Sequence, residues 1–308
     1  MNTDVSLRTN ITEKAKLWFW ACRPFSFTAS MVPVFLGAAA AIYLKRPANW
    51  LLFPLVVLAS LAIHAATNMV NDYFDYVKGV DRNETFGSSR LLVEGVLPAR
   101  HVLAGGIFLF ALTAAIGLVF IAFRGLPILI IGLVGILGGF FYTAAPLAYK
   151  YRGIGDAMVF LLMGPLMVIG SFLVLTGRYE HAVLWISLPV GFLVAAILSA
   201  NNLRDIEHDR RAGICTTACL LGRGAARIEY SGLIVCAYAA VLIMAILKIL
   251  PVWSLAALIT VPAGIKNIRG ALAAEKPEQI ARLDVQTAQL HLAFGVLLII
   301  SLIVKGLL

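Results

Sequence analysis

Charge is what this chain has least of: 13% of its 308 residues are Asp, Glu, Lys or Arg, against 61% hydrophobic. A soluble globular domain carries about 25% charged residues, so that class is excluded. Strand-like alternation is absent as well, which rules out a transmembrane barrel. The repeated apolar runs of roughly twenty residues read instead as helices that satisfy their own backbone in lipid. Cysteine is sparse, and Cys22, Cys215, Cys219 and Cys236 form no CxxC pair and have no neighbouring His cluster. Neither a redox dithiol nor a zinc site is expected. Segment 1–24 lacks an apolar core followed by a small-residue cleavage site, so the first apolar run is expected to remain as a span. No nucleic-acid motif accompanies the net charge of +9. That charge is read as loops facing anionic lipid, which makes the bilayer the expected partner and nucleic acid not one.

What is present divides into nine expected spans, at 25–44, 51–75, 101–122, 126–145, 154–176, 182–203, 229–247, 250–267 and 287–304. They form an all-α polytopic bundle in a single domain, 1–308, opening on a cytoplasmic N-terminal segment, 1–24. Lys and Arg test the layout, because they should collect on alternate loops. Arg8, Lys14, Lys16 and Arg23 precede span one; Lys78, Arg82, Arg90 and Arg100 follow span two; Lys150 and Arg152 follow span four. Arg204, Arg210, Arg211, Arg223 and Arg227 follow span six, and Lys266, Arg269, Lys276 and Arg282 follow span eight. Only Lys45, Arg46, Arg124, Arg178, Lys248 and Lys305 remain for the other side. The N-terminus is therefore expected in the cytoplasm and the C-terminus outside an inner or plasma membrane. The loops after spans two and six, about 25 residues each, are candidate lids. The spacing hints at two four-helix halves plus a ninth span, a weak internal repeat. Gly132, Gly135, Gly138 and Gly139 put small residues on span four, suited to close helix contact or a smooth cavity wall.

The few acids are not scattered. Residues 68–81 read NMVNDYFDYVKGVD at the inward end of span two, and 201–209 read NNLRDIEHD at the inward end of span six. At about 100° per residue, Asn68, Asn71, Asp72 and Asp75 share roughly 100° of helix face, and so do Asn201, Asn202, Asp205 and Asp209. Both faces are expected at the cytoplasmic surface, where they can meet.

Carboxylates at a helix C-terminus are electrostatically misplaced, each by about 0.3–1 kcal/mol, and need a positive partner. Ion pairs with Lys78, Arg82, Arg90, Arg204, Arg210 and Arg211 would satisfy Asp72, Asp75, Asp81, Asp205 and Asp209. Asn oxygen on the same faces argues further, for a hard cation such as Mg2+. Magnesium takes one or two carboxylates and completes its shell with water and phosphate, so two Asp clusters point to two or more ions bridging a diphosphate. At a membrane surface that means a lipid diphosphate, with nearby Lys and Arg on the free phosphate oxygens. Metals and cations stabilise a departing diphosphate, which makes ionisation of an allylic prenyl diphosphate the natural chemistry. Aromatic faces would stabilise the allyl cation by about 0.5–2 kcal/mol per contact, with Tyr73, Phe74, Phe140, Phe141, Tyr142, Tyr149 and Phe160 available.

These motifs resemble the UbiA superfamily of intramembrane prenyltransferases. The segment NDYFDYVKGVD, with Gly79 eight residues after Asn71 and Asp81 two later, is most similar to the branch acting on 1,4-dihydroxy-2-naphthoate. RPFSFTASMVPVFLGAA from Arg23, SSRLLVEGVL from Ser88, YTAAPLAYKYRGIGD from Tyr142, GPLMVIGSFLVLTG from Gly164 and NNLRDIEHDRRAG from Asn201 extend the resemblance. It implies a nine-helix bundle with a central cavity and cytoplasmic cap loops. Asn71, Asp75, Asp81, Asp205 and Asp209 would take the metal and diphosphate role, the four carboxylates being catalytic and Asp72 and Asn201 supporting. Lys78, Lys150 and Arg152 would face the diphosphate. Arg23 would approach the acceptor carboxylate, and Asn68, Arg90, Tyr142, Arg204, His208 and Arg210 complete the expected substrate contacts.

The chain departs from the family's usual Gly-Lys-x-Thr after the second motif, having Gly213-Ile214-Cys215-Thr216. Arg210 or Arg211 could replace that charge, or the acceptor could differ. The expected reaction is polyprenyl transfer to an aromatic acceptor, 1,4-dihydroxy-2-naphthoate with decarboxylation in menaquinone synthesis. The alternatives are 4-hydroxybenzoate or another aromatic or lipid acceptor, and an ion-coupled transporter. The transporter reading expects acids near the midplane, whereas all but Glu180 fall on the cytoplasmic side. His64 is expected as a buried hydrogen-bonding residue, His208 as a proton or phosphate contact, and His291 has no assigned role. Chain length and oligomeric state have no signature in these residues.

Overall fold

The structure, a computed structural model, describes residues 11–81 and 89–308. Among those residues all regular structure is helical, apart from one lone parallel bridge between Arg152 and Cys215. The helices are α1 (Ile11–Ala21), α2 (Thr28–Tyr43), α3 (Phe53–Val77), α4 (Ala99–Arg124), α5 (Leu126–Phe140), α6 (Gly155–Leu161), α7 (Met167–Thr176), α8 (His181–Arg211), α9 (Thr217–Ile246), α10 (Val261–Ala273) and α11 (Leu283–Leu307).

Seven helical stretches among the described residues are long and apolar enough to cross a membrane: Pro24–Tyr43, Trp50–Val77, Ala99–Arg124, Gly155–Thr176, His181–Arg211, Thr217–Ile246 and Pro277–Leu307. The chain is a multi-pass membrane protein. The expected fourth span is helical only over Leu126–Phe140. The expected eighth is divided: a 3-10 helix over Val252–Thr260 precedes α10, with Pro262 in the first turn of α10. A proline ring clashes with the carbonyl four residues back and kinks or breaks a helix arriving from upstream; α2 and α8 continue through Pro33 and Pro189, whereas at Pro262 the helix starts afresh.

The second candidate lid is also shorter than expected. In place of a loop of about 25 residues, α8 runs on to Arg211 and α9 begins at Thr217, leaving 212–216 as the connection. Hydropathy ends where the polar residues begin. The helix does not, because once clear of lipid it needs only favourable side chains and a cap. The chain does bend at Gly222, which has φ 77° and interrupts the first turns of α9. The loop between α3 and α4 lies partly outside the described residues, as do Arg8, Arg82 and Ser88.

Packing puts α2 between α7 and α11, and α8 against α6, α9 and α11, around buried Leu36, Phe172, Val190, Leu203, Tyr230 and Phe294. A second cluster joins α2, α3, α4, α5 and α7 through Val34, Val56, Ile116, Ile128 and Leu173. Between α6 and α7 the chain widens into a π turn, Leu162–Leu166, containing Pro165, whose missing amide removes a helical donor. Gly164 of this turn lies on Gly191 of α8 so closely that a Cβ on Gly164 would sit 2.5 Å from the Gly191 Cα. Backbone cannot move aside as a flexible side chain can.

Gly164→Ala is therefore expected to lower stability by about 1–3 kcal/mol through overpacking. Gly232→Ala, where the added Cβ meets nothing within 4 Å, is expected to leave it unchanged or slightly raised. Thermal unfolding of the two purified variants in detergent measures the difference, and equal melting temperatures would contradict it.

Candidate active site

Both acidic helices end in the same way. After α3, Gly79 adopts φ 70°; its amide donates to the Tyr76 carbonyl at 3.0 Å and the Val80 amide donates to the Asp75 carbonyl at 2.8 Å. After α8, Gly213 adopts φ 70°; its amide donates to Arg210 at 3.1 Å and the Ile214 amide donates to Asp209 at 3.0 Å. These are paired Schellman endings, which place glycine in the left-handed position and commonly an apolar residue next. They give physical reasons for two sequence features. Gly79 must be left-handed for Asp81 to fold back over the end of α3, and Ile214 occupies the apolar position of its cap.

The two endings face one cavity of about 280 Å³. Asn68, Asn71, Asp75 and Asp81 line it from the first motif, and Asn201, Asp205, His208 and Asp209 from the second. Arg23, Lys150, Tyr142 and Tyr149 also reach its wall. Lys150 comes from the α5–α6 connection, where Tyr149 donates its hydroxyl to the Gly138 carbonyl at 2.7 Å. Its ammonium donates to Asp75 Oδ2 at 2.6 Å and Asn71 Oδ1 at 3.1 Å, while the Tyr151 hydroxyl donates to Asp75 Oδ1 at 2.7 Å. Burial works against the Lys150 charge, but the Asp75 carboxylate outweighs it and holds the amine above the usual lysine range. For Asp81 burial comes first and the Asp75 charge second; together they push it up to about 7. Carboxylates so crowded call for further positive charge.

On the α8 side, Arg204 is buried and forks onto Asp205 at 2.8 and 2.7 Å, reaching Asp284 Oδ2 at 2.7 Å and the Asn201 oxygen as well. Thr216 donates to Asp209 Oδ2 at 3.0 Å. Side chains with hard oxygens thus line one space from both motifs, among them Asn71, Asp75, Asp81, Asn201, Asp205 and Asp209. Among the described residues no three or more His, Cys, Asp or Glu stand close enough to form a metal cluster by themselves. Amide and carboxylate oxygens are ligands that suit Mg2+, which draws the rest of its shell from water and phosphate.

A profile of the UbiA prenyltransferase family matches residues 30–293. The chain belongs to the UbiA prenyltransferase family. A Bacillus subtilis protein named 1,4-dihydroxy-2-naphthoate octaprenyltransferase is 31% identical over 92% of this chain and 91% of its own length. UbiA prenyltransferase domain-containing protein 1 of Homo sapiens is 32% identical over 94% of this chain and 84% of its own. Among solved structures, a UbiA homologue from Aeropyrum pernix superimposes with a TM-score of 0.67 at 16% identity, covering 89% of this chain and 97% of that one. A homologue from Archaeoglobus fulgidus bound to DMAPP and Mg2+ gives 0.60 at 18%, covering 92% and 98%.

Within this UbiA prenyltransferase, not every expected contact reaches the cavity. Asp72 does not line it: Arg23, left-handed at φ 55°, pairs with Asp72 Oδ1, and the Ser89 hydroxyl donates to Oδ2 at 2.5 Å. Arg204 is spent on Asp205, Asp284 and Asn201. Lys78 lies over the Tyr151 ring at 3.8 Å, Arg90 pairs with Glu94, and Arg152 donates to the Pro146 carbonyl at 2.7 Å. Arg210 is exposed and away from the lining. Of the seven aromatics, Tyr142 and Tyr149 line the cavity, whereas Tyr73 packs on Phe74, Phe140 on Phe110 and Phe141, and Phe160 on Phe192.

Phe25 and Asp284 line the cavity without having been anticipated, and Asn202, expected on the second face but not as a contact, lines it too. Asn202 donates to Asp156 Oδ1 at 2.9 Å. It stood at the edge of the second helix face, a signal that could have been used. His64 lines the cavity as well as bonding to Ser26 at 3.1 Å and to Ser30. Asp284 had no local signal, being brought in from α11.

Removing Arg23 should strand the buried Asp72. Arg23→Gln is expected to cost roughly 3–5 kcal/mol, and Arg23→Gln combined with Asp72→Asn to recover most of it. Thermal unfolding of both single variants and the double variant closes the cycle; additive losses would mean the pair is not coupled.

Proposed function

We propose that this chain transfers a polyprenyl group from an allylic prenyl diphosphate to 1,4-dihydroxy-2-naphthoate, with Mg2+ and loss of CO2, as a step of menaquinone synthesis. The observation that carries the reading is the convergence of two amide-and-carboxylate helix ends on one cavity, with Lys150 between them. Asn71, Asp75 and Asp81 would hold Mg2+ on one side and Asn201, Asp205 and Asp209 on the other, two or more ions in all. Bound there, Mg2+ supplies neutralising charge to the diphosphate as it departs. Lys150 binds phosphate oxygens that remain free, Arg23 approaches the acceptor carboxylate, and His208 is the next candidate contact. The bond between the allylic C1 and the diphosphate oxygen breaks, its electron pair leaving with the diphosphate. Tyr142 and Tyr149 offer ring faces to the allyl cation. The acceptor ring carbon that bears the carboxylate bonds to C1. CO2 then leaves and returns its bonding pair to the ring, giving the quinol form of demethylmenaquinone.

The acceptor rests on the spacing of Gly79 and Asp81 and on the identity with the Bacillus subtilis octaprenyltransferase. A second reading, the same donor chemistry with another aromatic acceptor, is favoured by the equal identity to the animal UbiA domain proteins. For the setting we infer one domain of nine spans, adding Leu126–Phe140 and the 252–273 helical stretch to the seven long ones. The inward placement of Lys and Arg supports a cytoplasmic site and N-terminus, an external C-terminus, and an inner or plasma membrane location.

Purified protein incubated with Mg2+, all-trans prenyl diphosphates and an acceptor panel should yield prenylated naphthoquinol by mass spectrometry. EDTA is expected to abolish it, and Asp75→Ala with Asp205→Ala to reduce kcat/KM by at least about 10²-fold. Undiminished product in EDTA or in that variant would overturn the metal reading. Product from 4-hydroxybenzoate with none from the naphthoate would move the acceptor.

A further inference from the structure

His64, Asn68 and Asp72 recur every four residues and so lie on one ridge of α3, beside the ridge that carries Asn71 and Asp75. The two ridges hold different partners. Asn71 and Asp75 are tied to Lys150 and Tyr151. The first ridge holds segment 22–30, which brings Arg23 to the cavity. Asp72 pairs with the Arg23 guanidinium. Asn68 Nδ2 donates to the Cys22 carbonyl at 3.2 Å and to Ser26 Oγ at 3.1 Å. His64 Nε2 meets Ser26 Oγ at 3.1 Å, Nδ1 meets Ser30 Oγ, and the Phe27 ring stands edge-on to the imidazole with centroids 5.6 Å apart.

Hydrogen-bond capacity sets which group donates. Ser26 has one hydroxyl proton and gives it to the Arg23 carbonyl at 2.8 Å, to which the Ser26 amide also donates at 2.9 Å. The Ser26 oxygen then accepts from Asn68 and from His64, which assigns the Nε2–H tautomer to the imidazole and leaves Nδ1 to accept from Ser30. Both ring nitrogens are thus occupied, although the ring lines the cavity. His64 has no free proton or lone pair to offer a substrate. Its effect passes to Arg23 instead. That residue holds φ 55° and ψ 59°, a left-handed conformation that residues other than glycine keep when their surroundings impose it. The carbonyls on either side of it, of Cys22 and of Arg23 itself, are the ones held by Asn68 and Ser26. Its Nε is buried without a partner among the described residues, while the side chain lines the cavity.

We infer that His64, acting through Ser26, is a positioning residue for Arg23, and that this ridge of α3 gives the site its preference for an acceptor bearing a carboxylate. The inference rests on the reading above in which Arg23 approaches the acceptor carboxylate. Guanidinium binds carboxylate through a planar fork that must be presented at the right angle. Loss of the His64–Ser26 link releases the Arg23 carbonyl, the backbone leaves the left-handed region, and the fork turns away. Affinity for the carboxylate falls, while contacts to the rest of the acceptor ring are kept.

The test measures binding to full-length protein in nanodiscs, with 1-hydroxy-2-naphthoate as the carboxylate probe and 1-naphthol as the same ring without it. The unmodified protein is expected to hold the carboxylate probe at least about 10-fold more tightly. His64→Ala is expected to lose about 10-fold on 1-hydroxy-2-naphthoate and less than about two-fold on 1-naphthol. His64→Gln, which keeps a donor for Ser26, is expected to restore most of the loss. Ser26→Ala should match His64→Ala, and the double variant should lose no more than either single one, because the two act in series. Thermal unfolding checks that each variant is folded; if His64→Ala is not, Ser26→Ala and His64→Gln carry the comparison. Equal losses on both probes would mean that His64 merely packs, and unchanged affinities that Arg23 needs no such support; either result overturns the inference, as do additive losses in the double variant. An unmodified protein that holds both probes equally contradicts the acceptor reading itself, and the inference with it.

Discussion

Everything in the site follows from carboxylates held at the carbonyl ends of two helices in a chain that has little charge to spare. Helix ends of that polarity repel anions, so each acid must meet a cation or a donor. Lys150 and Tyr151 meet Asp75, Arg23 meets Asp72, Arg204 meets Asp205, and Thr216 meets Asp209. The α5–α6 connection that delivers Lys150 is tied down accordingly. Tyr149 fixes it to α5, and the Arg152–Cys215 bridge with the Thr217 hydroxyl on the Gly153 carbonyl at 3.2 Å joins it to the start of α9. One short connection thereby couples both motifs.

The apolar runs made most of the spans legible, because lipid imposes length and composition together. Where lipid no longer acts, hydropathy carries no information, which is why the extension of α8 to Arg211 and the early start of α9 were hidden. The divided stretch before α10 depends on Pro262, whose steric effect is local and does not change hydropathy. The two acidic faces were legible from periodicity alone, and the cavity brings them together. Helical angle does not say what approaches from another element, however. Arg23 diverts Asp72, and α11 supplies Asp284, from positions distant in sequence.

The cations show the same limit from the other side. Lys78, Arg90, Arg152 and Arg204 all lie near the motifs in sequence, yet none of them lines the cavity: the first three find partners away from it, and Arg204 sits behind Asn201, Asp205 and Asp284. Charge near a motif is plentiful where a helix leaves lipid. Charge directed into the cavity is scarcer: of the described Lys and Arg residues, Arg23 and Lys150 line it. The glycines of α5 illustrate a further ambiguity. Gly138 approaches Leu162 closely, while Gly132 and Gly135 face open space or ordinary contact, so close packing and cavity wall occur on one helix.

The matching ends of α3 and α8 are closed by hydrogen bonds from the residues immediately beyond each helix. Their carboxylates are held by the helix itself. α3 and α8 thus set the positions of Asp75 and Asp209, while Asp81 and Thr216, just beyond the two caps, add to them from the chain that follows. A helix cap here is also a boundary of the site: the amides that stop each helix turn the following residues back onto the very residue that carries its carboxylate.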